Sequence, residues 1–164
     1  MEADQLRFIL QELRFSAVLP VEGLGRLAEE STVRRVAAGE VVFRDGSTNN
    51  NLYLIRSGRL ALEMNVPGRG AVRILTLGAG EMVGWSALLG QGKMTAGAIA
   101  IEDSDVVVAS ADRLRELCEA DRDFGFLLMR QMADALSKRL VATRLQLLDL
   151  FADAPSLIPT QQAD

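Results

Sequence analysis

The sequence predicts a mainly β domain: an eight-stranded antiparallel jelly roll (a double-stranded β-helix) with N-terminal helices and a long C-terminal helix. Between residues 32 and 110, short segments rich in branched and aromatic residues alternate with glycine-containing turns at roughly 8–12-residue intervals. Before and after this region, the apolar residues follow a helical period. We therefore expect one domain at 1–152, made of helices at 2–30, a β-roll at 32–110 and helices at 111–151, followed by a flexible tail at 153–164.

Two N-terminal helices are expected from apolar spacing. Residues 2–14 place four apolar side chains on one face, which is typical of an amphipathic helix: Leu6, Ile9, Leu10 and Leu13. Pro20 suits the first turn of a second helix, which runs to about Glu30 and turns Leu24 and Leu27 inward. We interpret both helices as a cap that packs on the core.

The β-roll is predicted from short runs that end at glycine turns. Five runs precede the most glycine-rich segment, at 33–36, 41–43, 52–55, 60–64 and 72–75, and two follow it, at 95–102 and 106–109. The turn signals between them include Gly39, Gly46, Gly58 and Gly70. About eight antiparallel strands fit a jelly roll.

Helical signals return at Ser110, a residue type that favours helix N-caps. One helix is expected at 111–119 and a longer one at about 124–151, interrupted by 121–123. Nine residues give the long helix a broad apolar face: Leu128, Met132, Leu136, Leu140, Val141, Leu145, Leu147, Leu148 and Leu150. We expect Asp134, Lys138, Arg139 and Arg144 to lie largely off that face.

The long helix would extend about 40 Å, which is more than a small barrel can cover. Its overhanging leucines should therefore pair with a second copy of the chain, as in a two-stranded coil. The alternative is that the helix folds back on residues 2–30.

Composition excludes several classes of function. The net charge is −4, from 18 basic and 22 acidic residues, which argues against broad nucleic-acid binding. The single cysteine, Cys118, rules out an internal disulfide, and the absence of histidine removes the usual general base and most zinc sites. No apolar run approaches a membrane span, and the N-terminus lacks a signal-peptide pattern. We expect a cytoplasmic protein that is not an enzyme and holds no metal.

The segment 78–101 is the part of the sequence with the pattern of a ligand-binding loop. Glycines at 78, 80, 84, 90 and 92 surround a short apolar run that begins at Ser86. A single helical turn there would leave N–H groups unpaired, and such donors favour a phosphate or carboxylate. The alternative is a plain glycine-rich loop between two strands.

The order of elements and four local motifs resemble the cyclic-nucleotide-binding domain of bacterial Crp/Fnr-type regulators. The motifs are 38–46 (AGEVVFRDG), 52–58 (LYLIRSG), 80–84 (GEMVG) and the helix at 128–140. The resemblance covers about residues 15–150 and implies a jelly roll that binds a cyclic nucleotide, cAMP or cGMP, as its regulatory ligand.

The sequence departs from the family at the phosphate cassette. Relatives carry a Glu that binds the ribose and an Arg that holds the phosphate, whereas this chain has Trp85 at the Glu position and Thr95-Ala96 at the Arg-Ser positions. A second register, using Glu81, also lacks the arginine. Since a guanidinium makes two charge-assisted bonds to phosphate, its loss should weaken binding by about two or more powers of ten, unless Lys93 substitutes.

The resemblance nevertheless implies a set of candidate ligand-binding residues: Glu81, Gly84, Trp85, Ser86, Ala87, Lys93, Thr95, Ala96 and Thr143. Trp85 either stacks on a ligand or fills the vacated pocket, and Lys93 is either a phosphate partner or an exposed turn residue. Thr143 falls where relatives place a hydroxyl against the purine, or is a helix-surface residue with no ligand role.

Two functions follow from these expectations. The first is a stand-alone regulatory or sensor module that dimerises through residues 124–151 and signals to a partner protein. The second is a structural or adaptor protein that keeps the fold without a ligand. Relatives continue into a helix-turn-helix domain, whereas only about a dozen residues follow the long helix here, so direct DNA binding is not expected.

Overall fold

The computed structural model describes residues 2–152, which form five helices and eight strands. The helices are α1 (Ala3–Glu12), α2 (Val21–Glu29), α3 (Trp85–Leu89), α4 (Ala111–Ala120) and α5 (Arg122–Ala152). The strands are β1 (Ser31–Val36), β2 (Val41–Phe43), β3 (Asn51–Ser57), β4 (Leu60–Val66), β5 (Gly70–Leu77), β6 (Met82–Val83), β7 (Gly97–Ala100) and β8 (Ser104–Ser110). The tail predicted at 153–164 lies outside the described residues.

The strands form two four-stranded antiparallel sheets, which confirms the predicted jelly roll. One sheet has the order β1-β8-β3-β6 and the other β2-β7-β4-β5. Neighbours such as β1 and β8 are far apart in the chain, so the roll closes through long-range pairing. The cassette, residues 84–96 between β6 and β7, therefore connects the two sheets.

The apolar run of strand β3 is continuous rather than alternating because both faces of the strand are buried. Leu52 and Leu54 face the helices and join the cluster around α1, α2 and α5, whereas Tyr53 and Ile55 face the interior of the roll. All four side chains are buried. The sheet of β3 thus separates two hydrophobic cores, one inside the roll and one beneath the helices.

Several element boundaries differ from the prediction. The strand expected at 95–102 is shorter, Gly97–Ala100, because 95 and 96 belong to the cassette loop. The break expected at 121–123 is confined to Asp121, whose carboxylate accepts the Phe124 N–H at 3.1 Å and so caps the first turn of α5. Helix α5 is consequently 31 residues long.

Helix α5 is packed at one end and projects at the other. Phe124, Leu128 and Met132 are fully buried against the helical core. From Leu140 onwards the large apolar side chains are exposed, up to 72% for Leu150. These side chains do not fold back on residues 2–30.

No helix among residues 2–152 has both the length and the apolar composition that crossing a membrane requires.

Candidate ligand-binding site

The cassette begins at Gly84, where the chain turns from β6 into α3. Gly84 is the N-cap of α3 and has a left-handed backbone, with φ at 84°. A Cβ at this position would lie 2.7 Å from the Asn51 carbonyl oxygen. Glycine is therefore required for both conformation and space, and the turn brings α3 directly against the start of β3.

Helix α3 is a short helix whose C-terminal end is closed by its own loop. The Gly90 and Gly92 N–H groups both donate to the Ser86 carbonyl oxygen, at 3.0 and 3.2 Å. These two amides are thus used within the cassette and do not face a ligand. The predicted helical turn in this segment is present, at Trp85–Leu89.

Asn49 holds the cassette against the start of β3 through hydrogen bonds. The sequence analysis did not predict this role. The Asn49 side chain accepts the Tyr53 hydroxyl at 2.9 Å and donates to the Asn51 carbonyl at 2.7 Å, while its backbone N–H donates to the Gly92 carbonyl at 2.8 Å. Tyr53 is only four residues along the chain, whereas Gly92 is distant in sequence, so no local signal reveals the contact between Asn49 and the cassette.

The cassette recess is a small cavity between the cassette, the roll and α5. Its lining residues are Phe43, Leu62, Gly84, Trp85, Ser86, Met94, Thr95, Ala96 and Arg139. Its volume is about 20 Å³, enough for about one water molecule. A ligand-sized space is therefore absent in this conformation of the described residues.

Five of the predicted site residues line this recess: Gly84, Trp85, Ser86, Thr95 and Ala96. Trp85 is half-buried and packs on the helical core as well as on the recess. In this conformation it fills space between the cassette and the helices. Ser86 and Thr95 bring hydroxyl groups to the recess.

The other four predicted residues are not among those that line the recess. The Glu81 carboxylate accepts the Gly78 N–H at 2.8 Å, and Ala87 is fully buried in the roll core. Lys93 is exposed and forms an isolated backbone bridge with Thr48. The Thr143 hydroxyl donates to the carbonyl of its own helix at Arg139, at 2.9 Å.

Arg139 is the main functional candidate that the sequence analysis misplaced. Instead of lying off the packed face of α5, it is half-buried, lines the recess and donates from its guanidinium to the Met82 carbonyl oxygen. The helical spacing could have found it: Leu128, Met132 and Ala135 form the inward stripe, and four residues further is Arg139. Because Arg139 is charged, it was predicted to lie on the solvent-exposed face of the helix.

Burial lowers the pKa of the Arg139 guanidinium, and the negative charge of Glu81 partly offsets that effect. Arginine nevertheless stays protonated near neutral pH. The recess therefore contains a cation, but one supplied by α5 rather than by the cassette.

A second arginine connects α4 to the other end of α3. Arg115 donates to the Ala87 carbonyl oxygen, and its guanidinium also pairs with Asp112 at 2.8 Å. The cassette backbone is thus bonded by Arg139 before α3 and by Arg115 near its end. A displacement of either helix would therefore move the cassette backbone.

Among residues 2–152, no cluster of three acidic or cysteine side chains could hold a metal ion.

Comparison with known proteins agrees with this architecture. Residues 33–121, more than half of the chain, match the family model for the cyclic nucleotide-binding domain. A CRP-like cAMP-activated global transcriptional regulator from Mycobacterium tuberculosis is 31% identical over 125 residues, which cover 75% of this chain and 54% of the relative. The chain spans about half the length of the curated relatives it matches.

Two solved structures have the same fold. A cyclic nucleotide-binding domain from Methylobacillus flagellatus superposes with a TM-score of 0.76 at 20% identity, covering 95% of this chain and 86% of that one. The catabolite activator protein of Thermus thermophilus gives a TM-score of 0.66 at 26% identity, covering 88% of this chain and 63% of that one. With its sheet order, its cassette and its family match, the chain belongs to the cyclic nucleotide-binding domain family.

Proposed function

We propose that this chain is a regulatory module that senses a cyclic nucleotide, cAMP or cGMP, at the cassette recess and transmits its occupancy through α5. The observation that carries the proposal is the hydrogen bond from Arg139 to the Met82 carbonyl. It ties the long helix to the residue that precedes the cassette turn. The position of α5 and the shape of the recess are therefore not independent.

The size of the recess indicates how ligand binding and helix position are coupled. Ligand pockets usually occupy about 300–1,000 Å³, whereas the recess holds about 20 Å³. A nucleotide can enter only if Trp85 and Arg139 move away from the cassette. The ligand thus favours a conformation in which α5 has shifted, and binding energy is converted into helix displacement.

Affinity should be modest because the cassette has no arginine. Ser86 and Thr95 offer neutral hydroxyl groups to a phosphate, and neutral hydrogen bonds contribute less than charge-assisted ones. Part of the binding energy is also spent on opening the recess. We expect dissociation constants in the micromolar to millimolar range.

The test is a titration with cAMP and cGMP, followed by calorimetry and by thermal unfolding. A ligand present at a hundredfold excess over its dissociation constant should add about 2.7 kcal/mol to the free energy of unfolding. The matched variant is Thr95→Val, which removes a recess hydroxyl and should weaken binding without changing unliganded stability. Absence of heat and of a thermal shift at about 10 mM nucleotide, roughly ten times the weakest dissociation constant expected, contradicts the proposal.

The output surface that we propose is the projecting end of α5, paired with the same segment of a second copy. Val141, Leu145 and Leu148 follow the four- and three-residue spacing of a two-stranded coil, and each is more than half exposed. Leaving such a stripe in water is unfavourable, and a second α5 offers a matching apolar surface.

Sedimentation tests this pairing. The wild-type chain should sediment as a dimer, and the double variant Leu145→Gln/Leu148→Gln as a monomer with unchanged circular dichroism. A wild-type chain that stays monomeric at high micromolar concentration rules out the pairing.

A second candidate is a non-enzymatic adaptor that keeps the fold and binds no nucleotide. The observation that favours it is Trp85, which packs on the helical core in the position where a ligand-binding Glu was expected. In that case nucleotide titration gives no signal, while the dimer persists. The nucleotide titration therefore separates the sensor from the adaptor, and sedimentation tests the dimer that both functions share.

A further inference from the structure

A second and larger cavity, the α5 groove, shares Arg139 with the cassette recess. It has a volume of about 240 Å³ and runs between α5, the end of β5 and the loop before β6. Arg14, Phe15, Leu77, Glu81, Lys138 and Arg139 are among the residues that line it. Only Arg139 belongs to both cavities.

The groove is formed partly by the segment that links α1 to α2. Gly80 has a left-handed backbone, with φ at 83°, and a Cβ there would lie 3.3 Å from the Cβ of Arg14. Glycine thus allows the α1–α2 linker to lie against the loop before β6. This close approach places Arg14 at the same groove as Arg139, although they are far apart in sequence.

The cations of the groove are incompletely neutralised. Lys138 forms an ion pair with Asp134 at 2.7 Å, but among residues 2–152 neither Arg14 nor Arg139 forms an ion pair with a carboxylate. A guanidinium has five N–H donors, and the one hydrogen bond found for Arg139 goes to a backbone carbonyl. Arg139 therefore has no direct ion pair, although the negative charge of Glu81 acts on it from a longer distance.

Two carboxylates of the groove oppose an incoming anion and need to be weighed. Asp134 is already paired with Lys138, and Glu81 accepts the Gly78 N–H at 2.8 Å. With three basic and two acidic side chains, the groove has a net positive charge. The excess charge is located at the two arginines that lack ion pairs.

Much of the rest of the groove wall is apolar. Leu75, Ala135 and Ala142 line it with partly exposed side chains, beside the polar Thr76 and Gln131. An apolar wall beside cationic groups complements a molecule that has one anionic end and one hydrophobic end. Simple inorganic ions would leave this wall uncovered.

We propose that the α5 groove binds a small amphiphilic anion, a phosphate or carboxylate on an apolar body, with Arg139 and Arg14 as partners of the anionic group. This site is distinct from the cassette recess, because Arg14 and Lys138 line the groove alone, and Thr95 and Ala96 line the recess alone. The anion would bridge the α1–α2 linker and α5.

Calorimetric titration of the whole chain with phenyl phosphate and with benzoate tests the proposal, and phenol serves as the neutral control. Trp85, the single tryptophan of the chain, provides a fluorescence signal beside Arg139. We expect at least one anion to bind and phenol to bind at least about tenfold more weakly, since a charged hydrogen bond contributes about 1.5–3 kcal/mol. The two anions distinguish a phosphate from a carboxylate preference.

Two arginine variants locate the site. Arg14→Gln and Arg139→Gln should each weaken anion binding about tenfold, while the exposed Arg144→Gln on the same helix leaves it unchanged. Since Arg14 is exposed, its substitution tests the site even if Arg139→Gln does not fold. The proposal is overturned by any of three results: unchanged anion affinity in Arg14→Gln, equal binding of phenol, or no anion binding at about 10 mM.

The same variants separate this proposal from the nucleotide site. Arg14→Gln should leave cAMP affinity unaltered, and Thr95→Val should leave phenyl phosphate affinity unaltered. Loss of phenyl phosphate binding in Thr95→Val, with retention in Arg14→Gln, would assign the anion to the recess and contradict the groove.

Discussion

The two halves of α5 have the same number of apolar residues, nine each, but opposite surroundings. In residues 122–139, Phe124 and Met132 are fully buried, and the last inward position is Arg139, which bonds the cassette backbone. In residues 140–152, Phe151 is 70% exposed, and the helix contacts little of its own chain. The inward stripe thus ends in a cation at the recess, after which the apolar residues face solvent.

This difference assigns separate tasks to the halves of one helix. The packed half contributes to folding stability and carries Arg139, whereas the projecting half is available to another molecule. Since an α-helix is stiff over this length, a small displacement at Arg139 is carried along the axis to the projecting end. We therefore expect substitutions in the two halves to have clearly separable effects.

The largest expected effect comes from paired phenylalanine substitutions. Phe124→Ala removes a fully buried ring and should lower the free energy of unfolding by about 3–5 kcal/mol. Phe151→Ala, the matched control in the projecting half, should change it by less than about 0.5 kcal/mol in dilute monomer. Urea unfolding measures both, and equal losses would contradict the division of the helix.

A second pair of variants tests how tightly the packed half sits on α2. A Cβ at Gly23 would overlap the Phe124 ring, so Gly23→Ala should cost about 1–3 kcal/mol through overpacking. Gly25 on the same helix has no atom within 4 Å of the added Cβ. Gly25→Ala should therefore stabilise by about 0.5–1 kcal/mol through helix propensity. Thermal and urea unfolding report the sign, and destabilisation of both variants would show that α2 itself is the cause.

The smallest expected effect concerns thiol reactivity. Cys118 packs beside Gly125 at the start of α5, and burial, with a smaller contribution from Glu119, raises the pKa of its thiol. Because the thiolate is the reactive form, Cys118 should react slowly with a disulfide reagent at pH 8, and its rate profile should be displaced to higher pH. The control is Leu147→Cys in a Cys118→Ser background, which should react faster. A faster Cys118 would indicate that the α4–α5 contact opens readily.

Much of the fold could be predicted because its signals are local. Glycine turns, branched strands and helical spacing each lie within a few residues, and they located all but the shortest of the strands, together with α5. Boundaries at 95–102 and 121–123 were less accurate, since a loop with apolar residues resembles a strand and one Asp is enough to separate two helices.

The site was predicted only in part because it depends on contacts between distant segments. Gly84, Trp85 and Ser86, which are adjacent in the cassette, line the recess together with the predicted Thr95 and Ala96. Arg139 was missed because it is charged, and its burial follows from where α5 crosses the roll rather than from its neighbours in sequence. The pairing of Arg14 with Arg139 at the α5 groove likewise requires the α1–α2 linker to reach Gly80.

Hydrogen-exchange mass spectrometry of Arg139→Gln tests most directly whether α5 and the cassette are coupled through Arg139. The account predicts that amides at 82–92 and at 132–139 exchange about tenfold faster than in the wild type, because one charged hydrogen bond is lost. Arg144→Gln, the control in the projecting half, should leave both segments unchanged. Wild-type exchange at 82–92 in Arg139→Gln would contradict the coupling.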